Sequence, residues 1–255
     1  MRLPELEGKA VLITGASTGI GAAVARAFAA QGAWVGLHYN ASREAAEALA
    51  AEIEAGQGRV RLIQSDMSTG AGARDAVDQA VAAFGRLDGL INNAGGMVRR
   101  VPYAEASERD YDEIMDLNAR SVLVASQAAV APLKAAGGGF IINTTSIAAR
   151  NGASGGAGLY GSSKAFVHNM TRGMAKELIA FGIRVNAVAP GVIETPFHER
   201  YSTEAQLKAA LATIPQGRLG RAEDCVGAFL FLACESLSGY VIGQVIEVNG
   251  GQLMP

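Results

Sequence analysis

Tyr160 and Lys164 stand four residues apart in the stretch LYGSSKAF, among small and apolar neighbours. On a helix, positions i and i+4 share a face, so the phenol and the ammonium would stand side by side. A cation at contact distance favours the phenolate and lowers a phenol pKa of about 10 by roughly 1–3 units. Such a tyrosine is a proton donor usable near neutral pH. Tyr-x-x-x-Lys also arises by chance on many helices, so the rest of the chain decides whether the pair does chemistry.

Short β-type runs alternate with amphipathic helical patterns. KAVLIT precedes a pattern over 19–31, AWVGLH one over 42–55, RVRLIQ one over 70–84 and LDGLIN one over 107–133. GFIINTTS leads into 159–181, IRVNAVAP into a segment near 203–213 and a helix near 222–234, and YVIGQVIEVNG closes the series. This alternation predicts βαβ units and a parallel sheet covered on both faces. Right-handed crossovers then give an α/β, Rossmann-type doubly wound sheet of about seven strands. No linker, repeat or low-complexity tail divides the chain, so a single domain over 1–255 is expected.

Ligands of such sheets lie beyond the carboxyl ends of the strands. The first strand runs into TGASTGIG, with Gly15, Gly19 and Gly21 between a strand and a helix N-terminus. The spacing is looser than Gly-x-Gly-x-x-Gly, but the place is the one at which glycines let the backbone approach a pyrophosphate and helix amides meet its charge. Three more loops fall at strand ends: the one at Asp66, NNAGG at 92–96, and PGVIET at 190–195.

Composition removes other classes. With 49% hydrophobic and 18% charged residues among 255, the chain has a sizeable core, and a net charge of −2 lacks the basic footprint of a nucleic-acid binder. The two cysteines, Cys225 and Cys234, fall on one predicted helix about 13 Å apart along its axis, too far to bridge. No Cys/His spacing resembles a zinc site. MRLPELEGKA places Pro4, Glu5 and Glu7 where a signal peptide is apolar, and AFLFLA is too short to cross a bilayer. A cytoplasmic protein with no metal and no membrane partner is the expectation.

The ordered set Thr14-Gly15-x-x-x-Gly19-x-Gly21, Asp66, Asn92-Asn93-Ala94-Gly95, Asn118, Ser146, Tyr160-x-x-x-Lys164 and Pro190-Gly191 resembles the short-chain dehydrogenase/reductase family over essentially the whole chain. The resemblance implies that Tyr160 is the acid in carbonyl reduction and the base in alcohol oxidation. Lys164 would lower its pKa and hold the nicotinamide ribose, Ser146 would bind the substrate oxygen, and Asn118 would hold a water linking Lys164 to solvent. Ser146 lies fourteen residues before Tyr160, one more than the commonest family spacing, which leaves Thr145 as its alternative. The loop of Gly15, Ser17, Thr18, Gly19, Ile20 and Gly21 would meet the pyrophosphate. Asp66 and Met67 would meet the adenine, Asn92, Ala94 and Gly95 would pass the adenosine ribose, and Pro190, Gly191, Ile193 and Thr195 would lie by the carboxamide. His38, His168 and His198 have no acid–base role left to fill.

NAD enzymes typically carry a carboxylate at the end of the second strand to bind the adenosine ribose hydroxyls. Here that position is Tyr39, followed by Asn40, Ser42 and Arg43, which can meet a 2′-phosphate instead. NADP(H) is therefore expected to be preferred and NAD(H) to be accepted, although Thr18 stands where many NADP-dependent relatives have a basic residue. Around the pocket mouth, Arg99, Arg100, Arg150 and His198 either point inward, favouring a substrate carboxylate, or are solvated surface groups. INNAGG, GAGLYGSSKAF, TPFH and SGYVIGQVIEVNGGQ are similar to reductases of uronate-derived keto-sugars such as 4-deoxy-5-hexoseulose uronate. The alternative is a 3-oxoacyl-[acyl-carrier-protein] reductase, whose acidic carrier needs a basic docking surface; PLKAAGGG and LIAFG offer only Lys134. A non-catalytic dinucleotide sensor would usually lack the Tyr or the Lys. The resemblance also implies a lid near 192–215 and a homotetramer pairing helices 107–133 and 159–181.

Overall fold

The computed structural model describes residues 2–254. Its strands are β1 (Ala10–Ile13), β2 (Trp34–Tyr39), β3 (Arg59–Gln64), β4 (Gly89–Asn92), β5 (Gly139–Thr144), β6 (Ile183–Pro190), β7 (Ile193–Glu194), β8 (Gly220–Arg221) and β9 (Val245–Val248). Between them run α1 (Gly19–Ala30), α2 (Arg43–Ala55), α3 (Gly70–Phe84), α4 (Glu108–Met115), α5 (Ser121–Ala135), α6 (Ala148–Asn151), α7 (Gly158–Leu178), α8 (Pro196–Tyr201), α9 (Glu204–Leu211), α10 (Ala222–Ala233) and α11 (Glu235–Ser238). Seven strands form one parallel sheet in the order β3-β2-β1-β4-β5-β6-β9, and β7 pairs with β8 apart from it.

The period of two along each strand divides the core. Val11 and Ile13 of β1, with Phe140 and Ile142 of β5, pack toward Val24, Phe28 and Phe229; Leu12 and Ile141 pack on the other face with Val77, Ala129 and Leu133. Alanines such as Ala73, Ala76, Ala125 and Ala129 let the helices on that face sit close to the sheet and to each other. Cys225 lies in α10 and Cys234 is its first residue beyond, both buried and unbridged. Among the described residues no helix is long and apolar enough to cross a membrane.

One predicted helix is not continuous. Between α4 and α5 the chain makes a π-helical turn, Asp116–Arg120, in which the Ser121 amide bonds back to Asp116 O. Asn118 sits on this bulge. Chain order reverses at β1, which is flanked by β2 and β4, and the crevice at that switch point receives the loops after β1 and β4.

Candidate active site

A cleft of about 710 Å³ opens along the carboxyl ends of the strands. Its floor is the turn after β1. Gly15 adopts φ 61°, and a Cβ there would lie 2.9 Å from Ala94 Cα, while one on Gly21 would lie 2.2 Å from Gly15 O. Only glycine fits either position without moving backbone. Gly15, Ser17, Thr18, Gly19 and Ile20 line the cleft; Gly21 lies behind them and serves packing. Thr18 is the N-cap of α1 but makes no side-chain capping bond, so the first amides of α1 remain available to an anion.

Three residues outside the expected cofactor set fix this turn. The Gly15 amide donates to His38 Nδ1 at 3.0 Å, the Asn93 side chain donates to Thr14 O and Gly15 O, and Thr14 Oγ1 accepts from the Asn93 and Ala94 amides. The His38 ring is buried, which lowers its pKa and keeps it neutral, with Nε2 at Ser65. Asn92 is not at the cleft: its Nδ2 donates to Ser126 Oγ and Asn143 Oδ1 behind β4, and Asn93 takes the facing position. Which of two adjacent asparagines faces the cleft depends on where β4 ends, at Asn92, which the polar run itself does not mark.

At the far end Tyr39, Asn40 and Met67 line the cleft. Arg43, at the first turn of α2, lies outside the wall itself, its fork on Gln64 Oε1 at 2.9 Å and Glu47 at 3.3 Å, and its guanidinium 5.8 Å from the Tyr39 ring centroid. Ser42 is the N-cap of α2 and makes no side-chain cap bond. Asp66 is also behind the wall, accepting from Asn40 Nδ2 and from the Ser68 amide and hydroxyl. Gln64, which braces both Tyr39 and Arg43, is a rim residue that the pattern of β3 does not distinguish from any exposed strand position.

In the centre Tyr160 and Lys164 project from α7 and both line the cleft. Lys164 is buried; its Nζ donates to Thr144 O at 3.0 Å and lies 5.9 Å from the Tyr160 ring centroid. Burial pushes the ammonium down to about 8 and the Tyr160 phenol up to about 12, against a hydrogen bond from Ser146 that favours the phenolate. The expected net lowering of the phenol pKa is thus not realised: burial of the phenol outweighs the hydrogen bond that favours the phenolate. Ser146 Oγ accepts from the Ala148 amide at 3.1 Å, leaving its proton to donate. Thr145, the alternative to Ser146, also lines the cleft, but its buried hydroxyl donates to Val188 O at 3.2 Å.

Asn118 is fully buried. Its Oδ1 accepts from the Gly96 amide and its Nδ2 donates to Gly96 O and Ile114 O. Both amide protons are used, so the side chain fastens the β4 loop to the π turn. A Cβ on Gly95 would stand 2.7 Å from Asn118 Oδ1 and 3.0 Å from Lys164 Nζ, which shows how tightly this loop passes the lysine.

The substrate end lies between loop 151–157 and α8–α9. Pro190, Gly191, Ile193 and Thr195 line the approach, and Phe197 covers Tyr160 with ring centroids 5.6 Å apart. Of the four basic candidates, two face the cleft. Arg100 and His198 line it; Arg99 instead pairs with Asp110 and Glu113, and Arg150 with Glu247 at 3.0 Å. Two carboxylates of α4 hold Arg99, and one on β9, distant in sequence, holds Arg150. No carboxylate lines the cleft among the described residues, and none groups with His or Cys into a metal site.

Fold and site together define an oxidoreductase of CH–OH and C=O groups on a doubly wound sheet. The chain belongs to the short-chain dehydrogenase/reductase family: residues 15–252 match the family model described as enoyl-(acyl carrier protein) reductase. It is 39% identical to a 3-oxoacyl-[acyl-carrier-protein] reductase of Thermotoga maritima over 96% of this chain and 98% of that protein. Among solved structures it is similar to the NADH-dependent reductase A1-R′ responsible for alginate metabolism, at 36% identity and TM-score 0.90 over 99% of this chain and 100% of that one. It is likewise similar to a short-chain dehydrogenase of Burkholderia cenocepacia in complex with NADP, at 37% identity and TM-score 0.89 over 97% and 98% of the two chains.

Proposed function

We propose that this protein is an NADP(H)-preferring reductase of a small polar carbonyl carrying an acidic group, with an acidic keto-sugar as the best candidate. The observation that carries the reading is the charge of the cleft: Arg100 and Lys164 line it and no carboxylate does, among the described residues. A dinucleotide fits the floor, where the uncapped amides of α1 face the cleft and glycine backbone admits close approach. Arg43 and Asn40 supply donors for a 2′-phosphate at the rim, and Tyr39 supplies no charge to repel one. NAD(H) is accepted more weakly.

When bound, the nicotinamide supplies a hydride to the carbonyl carbon. Tyr160, protonated across the neutral range, donates its phenolic proton to the carbonyl oxygen. Ser146 Oγ–H hydrogen-bonds the same oxygen and fixes the carbonyl plane. The Lys164 cation, held by Thr144 O, stabilises the phenolate left behind. Asn118 holds the Gly95–Gly96 loop against Lys164 and so keeps the ammonium in register. Segment 192–215 serves as the lid, with Phe197 excluding water above Tyr160.

The reading includes a cytoplasmic homotetramer. Tyr111 of α4, Leu123 of α5 and Phe166 of α7 are large apolar side chains left about half exposed on the helices expected to pair. The second reading, 3-oxoacyl-[acyl-carrier-protein] reductase, is favoured by the Thermotoga relative. Against it, Lys134, the one basic residue of the expected carrier-docking segments, is placed over the Phe181 ring at 3.7 Å. A substrate panel with NADPH tests the choice: acidic keto-sugars, neutral sugars, a 3-oxoacyl thioester and simple ketones. The acid is expected to lead by about tenfold in kcat/KM, or roughly 1.4 kcal/mol; a lead by the thioester or the neutral sugars overturns the reading.

A further inference from the structure

Arg99 and Arg100 are neighbours that face opposite ways, and a single backbone turn sends them there. The Arg99 amide donates to Met97 O at 2.6 Å, closing a three-residue turn around Val98, whose φ is 60°. A β-branched residue in the left-handed region is strained, and such strain persists only where the surroundings enforce it. The surroundings here are visible: Val101 N donates to Gly156 O at 2.8 Å, tying the turn to loop 151–157. Beyond the turn Arg99 reaches the carboxylates of α4, while Arg100 enters the cleft.

Inside the cleft Arg100 joins three segments of the chain. Its Nε donates to Tyr201 O at 2.5 Å, at the end of α8. Nη1 donates to Gly155 O at 3.0 Å and Ser154 O at 3.4 Å, and Nη2 to Ser202 Oγ at 3.5 Å. Every acceptor is neutral, and Arg100 makes no ion pair among the described residues. Partial burial lowers its pKa, the mark of a charge without a counterion. Ser202 Oγ also meets His198 Nδ1 at 2.9 Å, so the cation, the imidazole and the end of α8 share one hydroxyl. From Tyr201 the contact continues through the Phe197 ring, 5.1 Å away, to Tyr160.

We infer that Arg100 is a specificity-determining clasp: it docks the carboxylate of the substrate and, through Tyr201 and Ser202, couples that docking to the placement of α8 over Tyr160. The inference rests on the acidic-substrate reading above. A guanidinium that already spends four contacts on carbonyls and a hydroxyl can exchange some of them for a bidentate carboxylate, a stronger charge-assisted pair. An anion thereby re-sets the segment that carries Phe197, and a neutral substrate of the same shape does not.

The test has two arms. In the first, kcat and KM are measured with NADPH for 4-deoxy-5-hexoseulose uronate and its methyl ester, using wild type, Arg100→Met, Arg100→Lys and Ser202→Ala. Arg100→Met should raise KM for the acid by about tenfold or more and that for the ester by no more than about threefold, given the usual worth of a hydrogen bond to a charged group. Arg100→Lys should recover part of the acid preference. In the second arm, hydrogen–deuterium exchange over 196–213 is followed without substrate. It should quicken in Arg100→Met, and less so in Ser202→Ala, while β1, β4 and β5 stay protected; lysine should not restore protection, since it lacks the fork. Equal KM changes for acid and ester overturn the docking role, and unchanged exchange overturns the clasp. If wild type turns over neither compound, the acidic keto-sugar reading and the docking role fall together, and the exchange arm alone still decides whether Arg100 holds α8.

Discussion

Lys164 and Tyr160 face one cleft from the same helix, with Lys164 Nζ 5.9 Å from the Tyr160 ring centroid and hydrogen-bonded to Thr144 O. Burial keeps the phenol protonated, at about 12, and of the two groups the lysine titrates nearer to neutral, at about 8. Burial lowers the lysine pKa, so its cation is present below about 8 and lost above. Carbonyl reduction should be level from about pH 6 to about 8 and then fall up to tenfold per unit as the cation disappears. Lys164→Met should lower the plateau and abolish the bend. A reduction rate that rises through pH 8 would contradict the assignment.

Replacing Tyr160 by Phe removes the transferred proton and little else. Turnover should fall by about 10²–10⁴-fold, the range for a general acid, while NADPH affinity by fluorescence titration stays within a fewfold. Parallel loss of both would show that Tyr160 is there to hold the cofactor.

Arg43→Ala should weaken NADPH binding by about tenfold and leave NADH nearly unchanged, because a 2′-phosphate is the only group of the two cofactors that the fork can distinguish. Stopped-flow or fluorescence binding of both cofactors measures this directly. A wild-type preference for NADH would undo the reading of the Tyr39–Arg43 rim.

Asn118→Ala strands the Gly96 amide and carbonyl in a buried site. The expected cost is about 1–3 kcal/mol, and at roughly 2–4 °C per kcal/mol for a chain of this size Tm should drop by several degrees. Activity should fall further than stability explains, since the Gly95 loop abuts Lys164. Unaltered Tm would mean that these hydrogen bonds contribute nothing net.

Light scattering at micromolar concentration should return the mass of four chains, and Phe166→Glu together with Leu123→Glu should return smaller species. A wild-type monomer would leave those exposed side chains without a partner.

Nearly all of the sheet was legible in the residues alone, because hydrophobic runs between glycine-rich turns admit few arrangements and right-handed crossovers admit fewer. Tyr160, Lys164 and the turn after β1 were legible for a related reason: i,i+4 spacing and a first βα turn are local properties. What local pattern does not contain is which way a side chain faces once loops distant in sequence converge. Asn92, the last residue of β4, is buried against Asn143 while Asn93, just beyond the strand, faces the cleft, and the π turn at Asn118 shows only in the bond from the Ser121 amide to Asp116 O. Arg99 and Arg100 are the sharpest case, adjacent and chemically identical in sequence. The strained turn at Val98 and carboxylates eleven and fourteen residues away neutralise one and leave the other charged in the cleft, a choice that only the packed chain makes.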